Sequence, residues 1–388
     1  MKQKSTWFLV GMIILGVVLR TPFTTIPTIL TEISQSLGVP VASLGSLTSL
    51  PLIMFALFSS LAPMIAAKTG LERLFSWALL AMAIGSAIRV VNLPLLYAGT
   101  LIIGVTIALL NVLIPSVIQA NEPHRIGFYT AVYTTSMSIS TAVVAAIAVP
   151  LAKATSWQGV ILLISAVCLL AFVLWLPTAR TNHAMEEKTE VPNAMPIWKN
   201  GKVWVFTLFC GLQSLVFYTG MTWFPTMASQ TGLSAENAGL LASIYTLVGI
   251  PFSIIIPNLV TRLDKKGRLI LLTVICASGL TGIALLLIPG SSFIYWLSVI
   301  LLVGSSVACL FPYLLVSFSL KTSSPQETAK LSGFAQTGGY LLAAFGPAFF
   351  GTFREWTGSW LLGSLILLAL TAIMTVAVLY IESQDKIF

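Results

Sequence analysis

The chain has 388 residues, 57% of them hydrophobic and only 8% charged. That balance excludes a soluble domain, because apolar runs of about 20 residues, the length that crosses a bilayer, recur from end to end. The formal charge of +8 would suggest nucleic acid in a soluble chain; here it reads as the lysines and arginines that set membrane topology.

The first apolar run, Trp7 to Leu30, is too long for a signal peptide and lacks a small-residue cleavage site. It carries one charge, in Leu19-Arg20-Thr21-Pro22. A charge at the centre of a membrane helix costs about 2.5–3.5 kcal/mol on insertion scales, and such a residue ordinarily has a partner. The acids offer none. Glu72, Glu122, Glu186, Glu187, Glu190, Asp264, Glu327, Glu382 and Asp385 fall in inner loops or tails, and Glu32, Glu236 and Glu355 at outer ends. Arg20 is therefore expected to meet its counter-charge, or an electron-rich polar group, in a solute, the competing reading being that it snorkels to the outer water or caps backbone carbonyls of a broken helix. At about 1.5 Å per residue from Trp7 it lies roughly 20 Å up a core of about 30 Å.

Twelve spans follow in order: 6–30, 42–66, 72–91, 94–118, 126–150, 157–177, 203–228, 236–261, 268–289, 293–318, 329–351 and 359–381. The expected fold is all-α, two six-helix bundles at 1–177 and 203–388 joined by a cytoplasmic linker, 178–202. Four of the 20 basic residues, Arg20, Arg89, Lys153 and Arg354, fall off the inner side; the other 16 put both termini in the cytoplasm of a cell-membrane protein. Arg89, near the outer end of the third span, reads as interfacial. Cys168, Cys210, Cys276 and Cys309 sit in apolar runs without CxxC spacing or a nearby His, so they read as small core residues. No metal site and no cofactor is expected.

The halves repeat. At an offset of 194, Gly239, Leu241, Ser243 and Pro257 fall on Gly45, Leu47, Ser49 and Pro63. Upstream the offset is 198, which places Phe224-Pro225-Thr226 on Ile26-Pro27-Thr28 and Tyr218 on Arg20; downstream Ser359-Trp360 falls on Ser156-Trp157. A six-plus-six duplication is the transporter pattern, with the solute at the midplane between the repeats. Arg20 and Tyr218 are then expected at one depth on opposite walls, a guanidinium and a phenol for a small, flat, polar ligand. Gln213, lower in the seventh span, Gln336 and Tyr340 on one face of the eleventh, and Tyr129 and Tyr133 on one face of the fifth, near the depth of Asn111, are the further candidates to bind solute; the competing readings are an interface anchor for the tyrosines and glue between helices for the amides. Trp223 reads as belt or lid. The prolines Pro22, Pro51, Pro115, Pro251, Pro312 and Pro347 are expected to bend their spans.

The loop Asp264-Lys265-Lys266-Gly267-Arg268 resembles the loop signature of the major facilitator superfamily. Its copy, Ala67-Lys68-Thr69-Gly70-Leu71-Glu72-Arg73, has lost the Asp. Asp264, Lys265, Gly267 and Arg268, with Gly70 and Arg73, are the expected gating residues, charges around a tight turn that pair with neighbouring helix ends. Within that superfamily the chain resembles the cyanate and nitroimidazole transporter family. The resemblance runs through Leu19-Arg20-Thr21-Pro22, Asn111 to Pro115, Tyr129 and Tyr133, Gly211 to Ser214, Trp223-Phe224-Pro225 and Leu331 to Gln336. It departs at Val18 and Thr21, where the family has Asn and no inserted residue. It implies a secondary transporter for a small anionic or strongly polar solute, expected to work as a monomer by alternating access.

Four other readings compete. A proton-coupled multidrug exporter would use a titrating carboxylate or His at membrane depth, and His124 and His183 both fall in inner loops. A nitrate- or nitrite-type anion exchanger shares the cationic site. An enzyme would need a nucleophile–base pair or a metal cluster such as HExxH, and a channel a symmetric ring; neither pattern is present.

Overall fold

The computed structural model describes residues 2–39, 44, 46–181 and 196–388. Gly45 and most of the linker, including His183, Glu186, Glu187, Lys188 and Glu190, lie outside the described residues. Contacts divide the chain into two compact units. One comprises Met1–Ala194 with Ser324–Gly333, the other Met195–Ser323 with Phe334–Phe388.

The first unit contains α1 (Lys2–Val18), α2 (Thr21–Thr28), α3 (Leu30–Leu37), α4 (Ser46–Phe58), α5 (Ala62–Thr69), α6 (Leu71–Ile88), α7 (Leu93–Asn121), α8 (Ile126–Ala154) and α9 (Trp157–Ala179). The second contains α10 (Gly201–Gln230), α11 (Ala235–Leu247), α12 (Gly249–Arg262), α13 (Lys265–Leu285), α14 (Phe293–Leu320), most of α15 (Pro325–Thr357) and α16 (Leu361–Ser383). Among the described residues, nine helical stretches are long and apolar enough to cross a membrane, and a tenth is bent by 43°. Adding α4–α5 and α15 is consistent with the twelve expected spans.

Proline explains why several spans come in two pieces. Pro22 has no N–H for the Val18 carbonyl, so α1 stops there and α2 begins at Thr21. Pro63 likewise leaves the Ser59 carbonyl without its helical donor, and the second span breaks between α4 and α5. In the second unit the break lies at Val248, three residues before Pro251. Elsewhere the ends are capped: Asn92 accepts from the Leu95 N–H at 2.9 Å, Ser156 from Gly159 at 3.0 Å and Ser292 from Tyr295 at 3.1 Å.

Small residues bring backbones together where lipid supplies no hydrophobic drive. A Cβ on Gly99 would meet the Gly85 carbonyl, so α6 and α7 cross in backbone contact. In the second unit Gly211 and Gly339 let α10 and α15 do the same. Aromatic rings fill the rest. Trp175 stacks on Phe75 at 5.2 Å and donates its indole N–H to the Glu72 carbonyl at 2.9 Å. All four cysteines are buried.

Candidate functional site

The break in the first span fixes the site's first residue. Arg20 is the N-cap of α2, and its carbonyl accepts from the Phe23 and Thr24 N–H groups at 3.1 and 2.9 Å. The Thr24 hydroxyl adds a third bond to that carbonyl at 2.9 Å. The backbone of Arg20 is thus held by the start of α2, while its side chain is half-buried. Among the described residues the guanidinium has no hydrogen-bond or ion-pair partner. Tyr218 of α10 is also half-buried, its ring edge-on to Phe217 at 5.3 Å, and its hydroxyl has no described partner. Asn111 of α7 is half-buried and its amide is likewise unengaged.

The other expected site residues sit differently. Gln213 is buried and used locally: its amide donates to the Val307 carbonyl at 3.0 Å and its oxygen accepts from Ser214 at 3.2 Å. It glues α10 to α14. Tyr129 is buried between Phe8 (4.9 Å) and Phe128 (5.2 Å). Tyr133 is buried where its backbone meets Gly16 of α1. Gln336 is buried in α15, and Tyr340, one turn on, is half-buried. Trp223 donates to the Pro347 carbonyl at 2.8 Å, joining α10 to α15.

The loop residues of the second unit brace its helix ends. Asp264 caps α13, accepting from the Gly267 N–H at 2.9 Å. Gly267 lies in the first turn of that helix, where a Cβ would stand 2.9 Å from the cap oxygen. The tight turn expected there belongs to Gly70, whose φ of 85° only glycine adopts without strain. Lys265 pairs with Asp385 at 2.8 Å, which holds that carboxyl below its ordinary range. Arg268 pairs with Glu382 at 2.7 Å and donates to the Leu263 carbonyl at 2.9 Å.

Two of the acids assigned to inner loops or tails lie in helix ends and are fully buried. Glu72, in the first turn of α6, accepts from the Asn121 amide at 2.7 Å. Glu382, near the end of α16, is met by Arg268, by Lys321 at 3.4 Å and by the Tyr313 hydroxyl at 2.8 Å. Desolvation beside that carboxylate lowers the Lys321 pKa from its ordinary value. Arg89 also departs from expectation. It is 1% exposed, not interfacial, because the outer end of α6 packs under the break in the first span; there its Nη1 donates to the Pro22 carbonyl at 3.1 Å. A charge inside an apolar run was the only sequence signal for it.

One apolar cavity of about 320 Å³ opens in the second unit beside Leu215, Thr219, Phe345, Phe349 and Phe353. Its one polar lining group is the Thr219 hydroxyl, so it does not suit a small polar solute.

Residues 12–347 match the model of the Major Facilitator Superfamily. The chain is 36% identical over 370 residues to the 2-nitroimidazole transporter of Escherichia coli, covering 94% of this chain and 93% of that protein. It is 22% identical over 357 residues to the cyanate transport protein CynX of the same organism, covering 91% of each. The proton:xylose symporter XylE superposes with a TM-score of 0.79 at 13% identity, over 97% of this chain and 95% of the symporter. That likeness shows the fold.

Proposed function

This chain belongs to the Major Facilitator Superfamily, and from that premise we propose that it carries a small, flat, polar or anionic solute of the cyanate or 2-nitroimidazole kind across the cytoplasmic membrane. Membership makes it a multi-pass membrane transporter and not an enzyme. The solute class rests on one observation: Arg20 is a half-buried guanidinium at a helix break with no acid or other partner among the described residues. Such a group is an incomplete ion pair that an anion or a nitro oxygen completes. Tyr218 and Asn111, also unengaged, supply further hydrogen bonds. The nitroimidazole and cyanate relatives support the same chemistry. Alternating access by a monomer, both termini cytoplasmic, completes the reading. Gly70, Arg73 and the Asp264–Arg268 loop hold helix ends together as the protein cycles.

A proton-coupled drug exporter is less well supported. The described buried carboxylates, Glu72 and Glu382, lie at helix ends and are already bonded to protein groups. A nitrate- or nitrite-type exchanger differs only in solute, which the experiment separates. Purified protein is screened by thermal shift against cyanate, nitrate, nitrite, small carboxylates and 2-nitroimidazole, and the best ligand is titrated. Arg20→Lys keeps charge but loses the planar fork and should weaken binding roughly tenfold. Tyr218→Phe should weaken it about fivefold, the loss of one neutral hydrogen bond. Wild-type affinity in folded Arg20→Ala would end the assignment.

A further inference from the structure

Arg89 is among the largest fully buried side chains of the protein. Its Nη1 donates to the Pro22 carbonyl; among the described residues no acid pairs with it and its Nε and Nη2 are buried without a hydrogen-bond partner. The Arg89 stem crosses α7 at Gly99, where a Cβ would stand 2.5 Å from its Cγ. Gly99 also lets α6 and α7 touch, so the guanidinium is delivered to Pro22 by a rigid two-helix support.

The acceptor is the informative part. Pro22 lies two residues beyond Arg20, where α2 bonds forward from the Arg20 carbonyl but the ladder back to α1 is thin. Its own missing N–H removes the bond that would join α1 to α2. The Arg20 N–H reaches back only to the Val17 carbonyl, at 3.4 Å. Beside it the Thr21 hydroxyl is buried and unpartnered. The bond from Arg89, 67 residues away, is the described side-chain tie from another helix onto this stretch. A buried arginine is an expensive way to make one bond to a carbonyl, because the N–H groups on its Nε and Nη2 stay unsatisfied among the described residues. An apolar side chain would fill the same space without that cost, so the arginine is there for the tie.

We propose that Arg89 is a positioning residue for the solute site: it pins the backbone at Pro22, sets the direction of α2 after the break, and so places the Arg20 guanidinium. The proposal rests on the reading that Arg20 binds the solute, but Arg89 itself touches none.

The experiment has two arms, each on full-length protein in detergent. The first follows amide hydrogen exchange by mass spectrometry in wild type, Arg89→Met and Arg89→Lys, and needs no ligand. Arg89→Met should speed exchange roughly tenfold across 20–28 while α7 and α9 keep wild-type protection. Arg89→Lys, whose ammonium can donate to the same carbonyl, should restore most of it. Arg89→Gln, with a shorter donor, replaces Arg89→Met if that variant does not accumulate. Unchanged exchange at 20–28, or a rise spread evenly over α6, α7 and α9, overturns the proposal. The second arm titrates 2-nitroimidazole, with cyanate in parallel, into Arg20→Ala, Arg89→Met and the double variant. If Arg89 acts only through Arg20, Arg89→Met weakens binding by roughly tenfold, Arg20→Ala by more than that, and the double is no worse than Arg20→Ala. Multiplying losses would mean an independent effect and overturn the proposal. If Arg20→Ala binds normally the site reading falls by itself, and the exchange arm still decides whether Arg89 braces the break.

Discussion

Arg268 and Lys265 belong to one loop motif, yet the structure gives their loss unequal consequences. Arg268 donates to a carboxylate, Glu382, that is fully buried, at 2.7 Å. Removing one partner of a buried pair costs about 3–5 kcal/mol, because the other charge is left without compensation. Lys321 at 3.4 Å and the Tyr313 hydroxyl at 2.8 Å stay behind, so Arg268→Ala should fall at the lower end, about 3 kcal/mol. For a body of 150–250 residues that is a drop in Tm of roughly 6–12 °C. Lys265 and Asp385 form their pair in the open, with side chains 44% and 89% exposed. Lys265→Ala should leave Tm within about 2 °C of wild type. The assay is thermal unfolding in detergent, followed by tryptophan fluorescence and size exclusion. Arg268→Ala combined with Glu382→Gln should cost less than the two singles together, since both break one network. Equal losses for Arg268→Ala and Lys265→Ala would refute the burial reasoning. Lost transport with unchanged melting would show that Arg268 serves the conformational cycle and not the brace.

The topology expectation is checked by cysteine labelling of intact cells. Ser291→Cys should react with an impermeant reagent and Lys266→Cys should not; the reverse pattern would invert the protein. Gly99→Ala drives a methyl into the Gly85 backbone and should cost about 1–3 kcal/mol, whereas Gly239→Ala, with open space around it, should be neutral or slightly stabilising. A neutral Gly99→Ala would mean that α6 and α7 do not need their close crossing. The Asp385 carboxyl has a folded pKa below its unfolded value, so the stability it lends is present above about pH 4 and is lost as pH falls further. Wild type and Lys265→Ala should therefore converge in Tm on acidification; a gap that widens would contradict the sign.

The amino-acid sequence by itself determined that the chain is a bundle of apolar membrane helices, and through its motifs the class of protein. These depend on properties carried by neighbouring residues: apolar runs long enough for a bilayer, prolines that remove a donor, and basic residues between runs. The break at Leu19-Arg20 was legible for the same reason, since Pro22 removes its bond wherever the chain folds. What only the tertiary structure decided is which polar groups find partners. Arg89 reads as an interfacial charge until α6 is seen under a carbonyl 67 residues earlier. Glu382 reads as an acid of the inner tail until Arg268, 114 residues before it, is seen alongside. Gln213 reads equally as a solute contact or as glue between helices until its amide is found on Val307, 94 residues on. A charge or amide in an apolar run announces that it needs a partner, but the partner comes from whichever helix packs against it. That packing follows side-chain shape and small-residue crossings such as Gly85 with Gly99, which hydropathy and charge do not encode.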